Sequence, residues 1–364
     1  MISQDKAARL WLAYSESLTY KGRERLIELY GSAIDAYNNL SSNEGNVIGA
    51  KAFDELISLK AKGLDYFYLE LEKAKAKAVF LGDENYPYML KEIQDPPDVL
   101  FYYGNLPGDD YKAISIVGSR KDTRYGSKQA FSIARDLSLS GVIVVSGLAY
   151  GIDAAAHKGV VDSGGKTIAV LGSGIKNIYP KDHIPLAREI IKLGGAIISE
   201  YPLYSKPLAY HFPVRNRIVS GLSHGVLLIE AREKSGTLIT VSHALNQGRE
   251  VFALPGQVDA PGSLIPHSLL RDGARLATCA DDIIEDMGWG NAENKADNSL
   301  NIEELNLTNE QGKIYHALCV DSLSFEELLE KTQLSASEAN THIVIMQMQG
   351  IIEALPGGMY RLNN

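Results

Sequence analysis

Between Ile114 and Leu254 the chain repeats one pattern six times: a short apolar run, a glycine- or serine-bearing turn, then a longer stretch of helical periodicity. The runs are Ile114–Val117, Val142–Val145, Thr167–Leu171, Ala196–Ser199, Val226–Glu230 and Val251–Leu254. None alternates apolar with polar residues, as strands buried on both faces need not. The stretches between them are long enough to be crossover helices. The pattern predicts a mainly parallel α/β sheet whose loops gather at the carboxyl ends of the strands, where open α/β sheets bind ligands.

Outside this region the patterning changes. Residues 1–80 carry apolar positions at spacings of three and four, which predicts an all-helical domain of the sterile-alpha-motif (SAM-like) or helix–hairpin–helix kind. Its candidate phosphate-gripping turn, Leu18–Gly22, holds a single glycine, so a structural or partner-binding role is expected. Asp83–Gly108 is rich in proline and tyrosine and leads into an added strand at Val99–Tyr103, with the tyrosines packing over the sheet. The expected boundaries are 1–80, a central domain over 81–287, a polar linker at 288–307 and a terminal domain at 308–364.

That terminal domain shows three capping-box patterns, Thr308/Gln311, Ser324/Glu327 and Ser335/Glu338, each before an apolar helical run. A hairpin turning at Pro356-Gly357-Gly358 follows. Three helices and a hairpin predict a winged-helix-like fold. Its third helix contains no Lys or Arg, and from Glu303 onward nine acids face three bases, 3 − 9 = −6. A module that reads duplex DNA should be basic. A protein-contacting role is expected instead.

Composition narrows the field. The net charge, 36 − 45 = −9, argues against coating nucleic acid with the whole surface but leaves room for a local basic groove. Two cysteines without metal-like spacing predict a reduced, cytoplasmic setting, and neither metal nor cofactor is expected. No apolar run has membrane-spanning length, and no secretory leader is recognisable.

Candidate chemistry sits in the loops. Gly118-Ser119-Arg120 follows one run and precedes a helix beginning near Tyr125, so backbone N–H groups, the serine hydroxyl and the helix start could all donate to an anion. Lys112–Lys128 holds five bases, Arg124 among them, and one acid. Gly147 and Gly151 allow tight passage after the second run, Asp153 suits a helix start, and His157 reads as a packing or hydrogen-bonding residue. Gly172-Ser173-Gly174 resembles a dinucleotide fingerprint but has Asn177 in place of the third glycine. Lys176, Tyr179 and Lys181 instead supply charge and an aromatic face for a single strand. Phe212, Arg215 and Arg217 lie in a stretch, Tyr201–Arg217, that contains no acid. Basic residues interleaved with aromatics suit phosphates and unstacked bases, although either arginine, Arg217 especially, could pair with Glu200 or Glu230. Ser235-Gly236-Thr237 opens a further helix as an anion site or as ordinary caps, and it lacks the Gly-Lys-Ser/Thr ending of an ATPase loop.

Taken together, Gly118–Arg120, Ser146–Gly159, Phe212–Ser223, Glu230–Thr240 and Ala253–Val258 closely resemble the DNA-processing protein A (DprA/Smf) family over most of Tyr86–Ala280. The resemblance implies an extended Rossmann-like core that binds single-stranded DNA without sequence preference and dimerises through that core. It also implies protection of incoming strands, help for RecA in displacing single-strand-binding protein, and hand-over of the strand to the RecA recombinase in natural transformation. By motif position, Arg120 and Lys176 would hold the strand, with an aromatic near Ile178 or Tyr179. No catalysis is implied. The competing class is a Rossmann-like nucleotide phosphoribohydrolase, whose Pro-Gly-Gly-x-Gly-Thr motif is replaced here by Lys234-Ser235-Gly236-Thr237, with Glu230 only a loose substitute for its catalytic acid. A duplex-specific regulator acting through the terminal domain ranks last on charge.

Overall fold

The computed structural model describes residues 3–232, 235–290, 307–318, 323–355 and 358–362. The chain forms two compact units, Met1–Gly288 and Trp289–Asn364.

The first unit is built on a nine-stranded sheet: β1 (Lys77–Phe80), β2 (Val99–Gly104), β3 (Ala113–Val117), β4 (Ile143–Ser146), β5 (Thr167–Val170), β6 (Ala196–Ser199), β7 (Gly225–Leu228), β8 (Glu250–Ala253) and β9 (Arg275–Leu276). Their order across the sheet is β1-β2-β6-β5-β4-β3-β7-β8-β9. From β6 to β9 every neighbour is parallel, and β1 and β2 add an antiparallel pair at one side. The six apolar runs are therefore strands, and β3 is buried along its whole length, as helices on both faces require. The strand order reverses direction between β3 and β7, which leaves a crevice at their carboxyl ends.

The helices Gln4–Ala13, Tyr20–Tyr30, Ala33–Asn39, Ala50–Lys60 and Leu64–Ala74 precede the sheet. Their apolar faces share one core with it: Trp11, Leu56 and Phe67 are fully buried in the same cluster as Phe101 and Ile197. Arg9 fastens this layer by pairing with Asp98 and donating to the Leu81 carbonyl at 2.9 Å. The all-helical expectation fails at its last residues. Lys77–Phe80 is strand β1, paired from Lys77 opposite Tyr102 to Phe80 opposite Val99, because the added strand needs a partner that local periodicity does not reveal. Tyr86 and Tyr102 are buried, whereas Tyr88 is 38% exposed.

In the second unit, helices Asn309–Leu318, Phe325–Thr332 and Ala336–Met348 enclose Ile314, Leu328, Ile343 and Met346. All three capping boxes form: Ser335 N–H donates to Glu338 Oε2 at 3.0 Å and Glu338 N–H to Ser335 Oγ at 3.3 Å, with Ser324/Glu327 and Thr308/Gln311 alike. Strands Ile352–Leu355 and Met359–Leu362 pair antiparallel, and Leu323–Ser324 joins the second of them. The expected linker lies mostly outside the described residues, as do Pro356 and Gly357 of the turn. Among the described residues no helix is long and apolar enough to cross a membrane.

Candidate nucleic-acid interface

At the crevice between β3 and β7 lies an open cleft of about 720 Å³. Five chain segments build it. After β3 come Gly118, Ser119, Arg120 and Lys121; after β4, Gly147, Ala149 and Asp153; after β5, Tyr179. The helix His211–Gly221 contributes Phe212, Arg215 and Asn216, and the helix Thr237–Asn246 is approached through Arg232, Ser235 and Gly236, with Thr237 as its first residue. Turns spread over more than a hundred residues of sequence thus meet at one place.

Glycine is required where these loops touch. A side chain at Gly147 would overlap the Arg215 guanidinium and come within 2.7 Å of the Asp153 carboxylate. At Gly151 the backbone has φ +77° and the Ser119 carbonyl occupies the space a Cβ would need. Leu148, between them, also sits in the left-handed region at φ 56°. That conformation costs on the order of 1 kcal/mol for a residue with a side chain. It is held by burial of the leucine and by its carbonyl, which is 2.8 Å from His183 Nδ1.

The cleft floor holds one buried cation and one buried acid. Arg215 is 3% exposed and donates to the Gly147 carbonyl at 2.9 Å and to the Val170 carbonyl. Burial lowers its pKa to about 10, against the opposing pull of Asp153. The Asp153 carboxylate accepts from the N–H groups of Gly147 at 3.1 Å and Ala149 at 3.4 Å. Burial raises its pKa, opposed first by Arg215. On the wall the arrangement is more open. The exposed Arg120 guanidinium lies 5.0 Å from the Phe212 ring centre, and the Tyr179 ring, 43% exposed, lies 6.0 Å from the same ring. A cation over one aromatic with a second beside it offers charge to phosphates and flat faces to bases.

Several expected donors are already engaged. Ser119 N–H donates to the Glu230 carbonyl at 2.8 Å, and its hydroxyl to the Lys121 carbonyl at 2.9 Å. The helix start at Arg124 is capped by Thr123, whose N–H and hydroxyl both donate to the Glu230 carboxylate. Ser235 and Thr237 bond each other, their hydroxyl oxygens 2.8 Å apart. The Ser119, Ser235 and Thr237 hydroxyls are therefore engaged in bonds within and between these loops, while the exposed Arg120, Lys121 and Arg232 bring positive charge to the wall.

Of the residues singled out from sequence, Gly118, Ser119, Arg120, Gly147, Tyr179, Phe212, Arg215, Ser235, Gly236 and Thr237 line the cleft. Arg124, Lys176 and Lys181 are exposed outside its lining. Arg217 is locked: it donates to both Glu200 oxygens at 2.6 and 2.7 Å and pairs with Asp95 at 2.9 Å. Burial alone would lower its pKa, but Glu200 and Asp95 raise it. Lys234 lies outside the described residues. His157 is fully buried with Nδ1 2.8 Å from the Thr167 hydroxyl, a structural role. Arg232 and Asn216 line the cleft without having been singled out. Arg232 could have been found as a base just past the buried run of β7.

The family model for DNA recombination-mediator protein A matches residues 77–288, and that for the DprA winged helix domain matches 303–358. Protein Smf of Escherichia coli is 37% identical over 318 residues, 84% of this chain and 83% of the relative. DNA processing protein DprA of Bacillus subtilis is 39% identical over 232 residues, 62% of this chain and 78% of the relative. Among solved structures, DNA processing protein A of Streptococcus pneumoniae superposes with a TM-score of 0.63 at 34% identity, covering 78% of this chain and 98% of that one. The Helicobacter pylori protein, studied for its single-stranded DNA binding mode, gives 0.51 at 27% identity, over 58% and 95%.

Proposed function

The chain belongs to the DNA recombination-mediator protein A (DprA/Smf) family, and from that membership we propose that its cleft binds single-stranded DNA without sequence preference. The observation that carries this proposal is the Arg120–Phe212–Tyr179 wall over the buried Arg215. It presents cations and rings but few free hydrogen-bonding groups of the kind that read base edges. The further role is that of a mediator: the protein shields a strand in the cytoplasm, as a homodimer formed through the first unit, displaces single-strand-binding protein and passes the strand to RecA. Arg124, Lys176 and Lys181 extend the contact outside the cleft, and the segment 288–307 serves as a linker to a domain that contacts protein.

The function is binding rather than catalysis. Glu230, the acid a phosphoribohydrolase would need, accepts two hydrogen bonds from Thr123, and Asp153 is held by backbone N–H groups beside Arg215.

The test is fluorescence anisotropy with labelled oligo-dT and with a duplex of the same length over a salt series. Preference for the single strand and a linear fall of log affinity with log salt are expected. Affinity indifferent to salt, or preference for the duplex, overturns the proposal.

A further inference from the structure

A second recess of about 300 Å³ adjoins the cleft. It is lined by Tyr150, His183, Phe131, Lys158 and Asp122, with Ala154 and Ala155 leaving room at its base. The same two loops serve both cavities. Ser119–Lys121 faces the cleft and Asp122 the recess; Ala149 faces the cleft and Tyr150 and Gly151 the recess. Those loops touch, since Ile152 N–H donates to the Ser119 carbonyl at 3.2 Å and Gly151 packs on that same carbonyl. A chain leaving the cleft past Lys121 therefore meets the recess next.

The recess is furnished for a nucleobase. The Tyr150 ring is 42% exposed yet fixed: its hydroxyl donates to Asp182 at 2.7 Å, and it meets the His183 ring edge-on, 5.0 Å between centres at 67°. His183 is in turn anchored on the Leu148 carbonyl. An aromatic already held in place loses little freedom when a base stacks on it. Ala154 and Lys158, four apart on the helix Ile152–Asp162, share a face, so the exposed ammonium rises from the same wall as the small floor residues. Asp122 is a poor neighbour for phosphate but a good acceptor for base N–H groups.

We propose that this recess is a second nucleotide subsite, taking the base next to the one in the main cleft, stacked on Tyr150, with the intervening phosphate held by Lys121 and Lys158. The proposal rests on the main cleft binding single-stranded DNA.

The experiment measures the affinity of the full chain for oligo-dT from about 4 to about 16 nucleotides, a range that brackets one strand-binding fold. Wild-type affinity rises in a step once the oligonucleotide is long enough to enter the recess. Tyr150→Ala and Lys158→Ala each weaken binding of the longer oligonucleotides about tenfold while leaving the shortest within about twofold. Tyr150→Phe, which keeps the ring and drops the bond to Asp182, retains the step. If both alanine variants match wild type at every length, or lose the shortest oligonucleotide as much as the longest, the second subsite is overturned and the main cleft stands. If wild type binds no oligonucleotide of any length, the main cleft fails, and the subsite with it.

Discussion

In the cleft of the first unit Arg120 and Lys121 stand exposed beside Arg232, and the acids nearby, Asp153 and Glu230, are occupied by N–H and hydroxyl donors. In the second unit the helix Ala336–Met348, in the position that would enter a DNA groove, carries no Lys or Arg, and Glu327 and Glu338 serve as helix caps. Carboxylates bonded to backbone N–H groups stabilise each place, but the first gathers Arg120, Lys121 and Arg232 into one cleft whereas the third helix of the second carries no Lys or Arg. A strongly acidic chain can thus hold a locally attractive surface for a polyanion, because the field at a site depends on which charges are already paired. The second unit matches the DprA winged helix domain, so sharing a fold with DNA readers does not supply the charge for that task.

The contrast can be broken most severely at Arg120. Arg120→Glu lowers oligo-dT affinity on the order of 100-fold at fixed salt, since it removes one charge-assisted contact and adds a repulsion. Anisotropy titration reads the loss directly; a change below about threefold would mean the wall is not the contact surface.

A smaller effect separates the two units by pH. Burial lowers the His157 pKa from 6.5 to about 3. The folded imidazole stays neutral where the unfolded one takes a proton. Its contribution is therefore complete above pH 6.5 and is lost as the pH falls towards 3, by up to about 1.4 kcal/mol per pH unit. In the second unit the Ser324 and Ser335 caps hold the Glu327 and Glu338 carboxyls below their ordinary 4.5. That contribution persists above pH 4.5 and is lost only below it. Acid unfolding followed by circular dichroism should begin in the first unit, and His157→Gln should flatten its slope between pH 6 and 4.

The smallest expected effects sharpen the contrast from the other side. Ser335→Ala costs the second unit about 1 kcal/mol, seen in denaturant unfolding. Removing 303–364 changes oligo-dT affinity by less than about twofold. A larger loss would place a strand contact in the acidic unit.

Much of this was legible before the structure because the signals are local. A buried parallel strand shows as an unbroken apolar run, and a capping box is written within four residues, as at Ser335 and Glu338. Strand β1 was hidden because Lys77–Phe80 continues a helical-looking stretch and becomes a strand only by pairing with Val99–Tyr102. The cleft was legible as a set of strand-end loops, but not the division of labour within it. Arg215 and Arg217 are two residues apart on one helix and so point to different faces. Which one meets the cleft is decided by Glu200, arriving from the end of β6, and by Asp95. Nor could sequence show that the Ser119 hydroxyl closes its own turn on Lys121.

The rims of the sheet set one more limit on the molecule. At one side the outermost strand is Lys77–Phe80, only four residues long and begun by a lysine; at the other it is Arg275–Leu276, with its arginine tied to Glu250 and Asp286. Brief, charge-guarded margins of this kind offer a poor template for another chain to continue the ladder. The sheet's own margins thus guard the fold against fusing with a neighbour's strands, and that protection rests on two short segments and the charges at their ends.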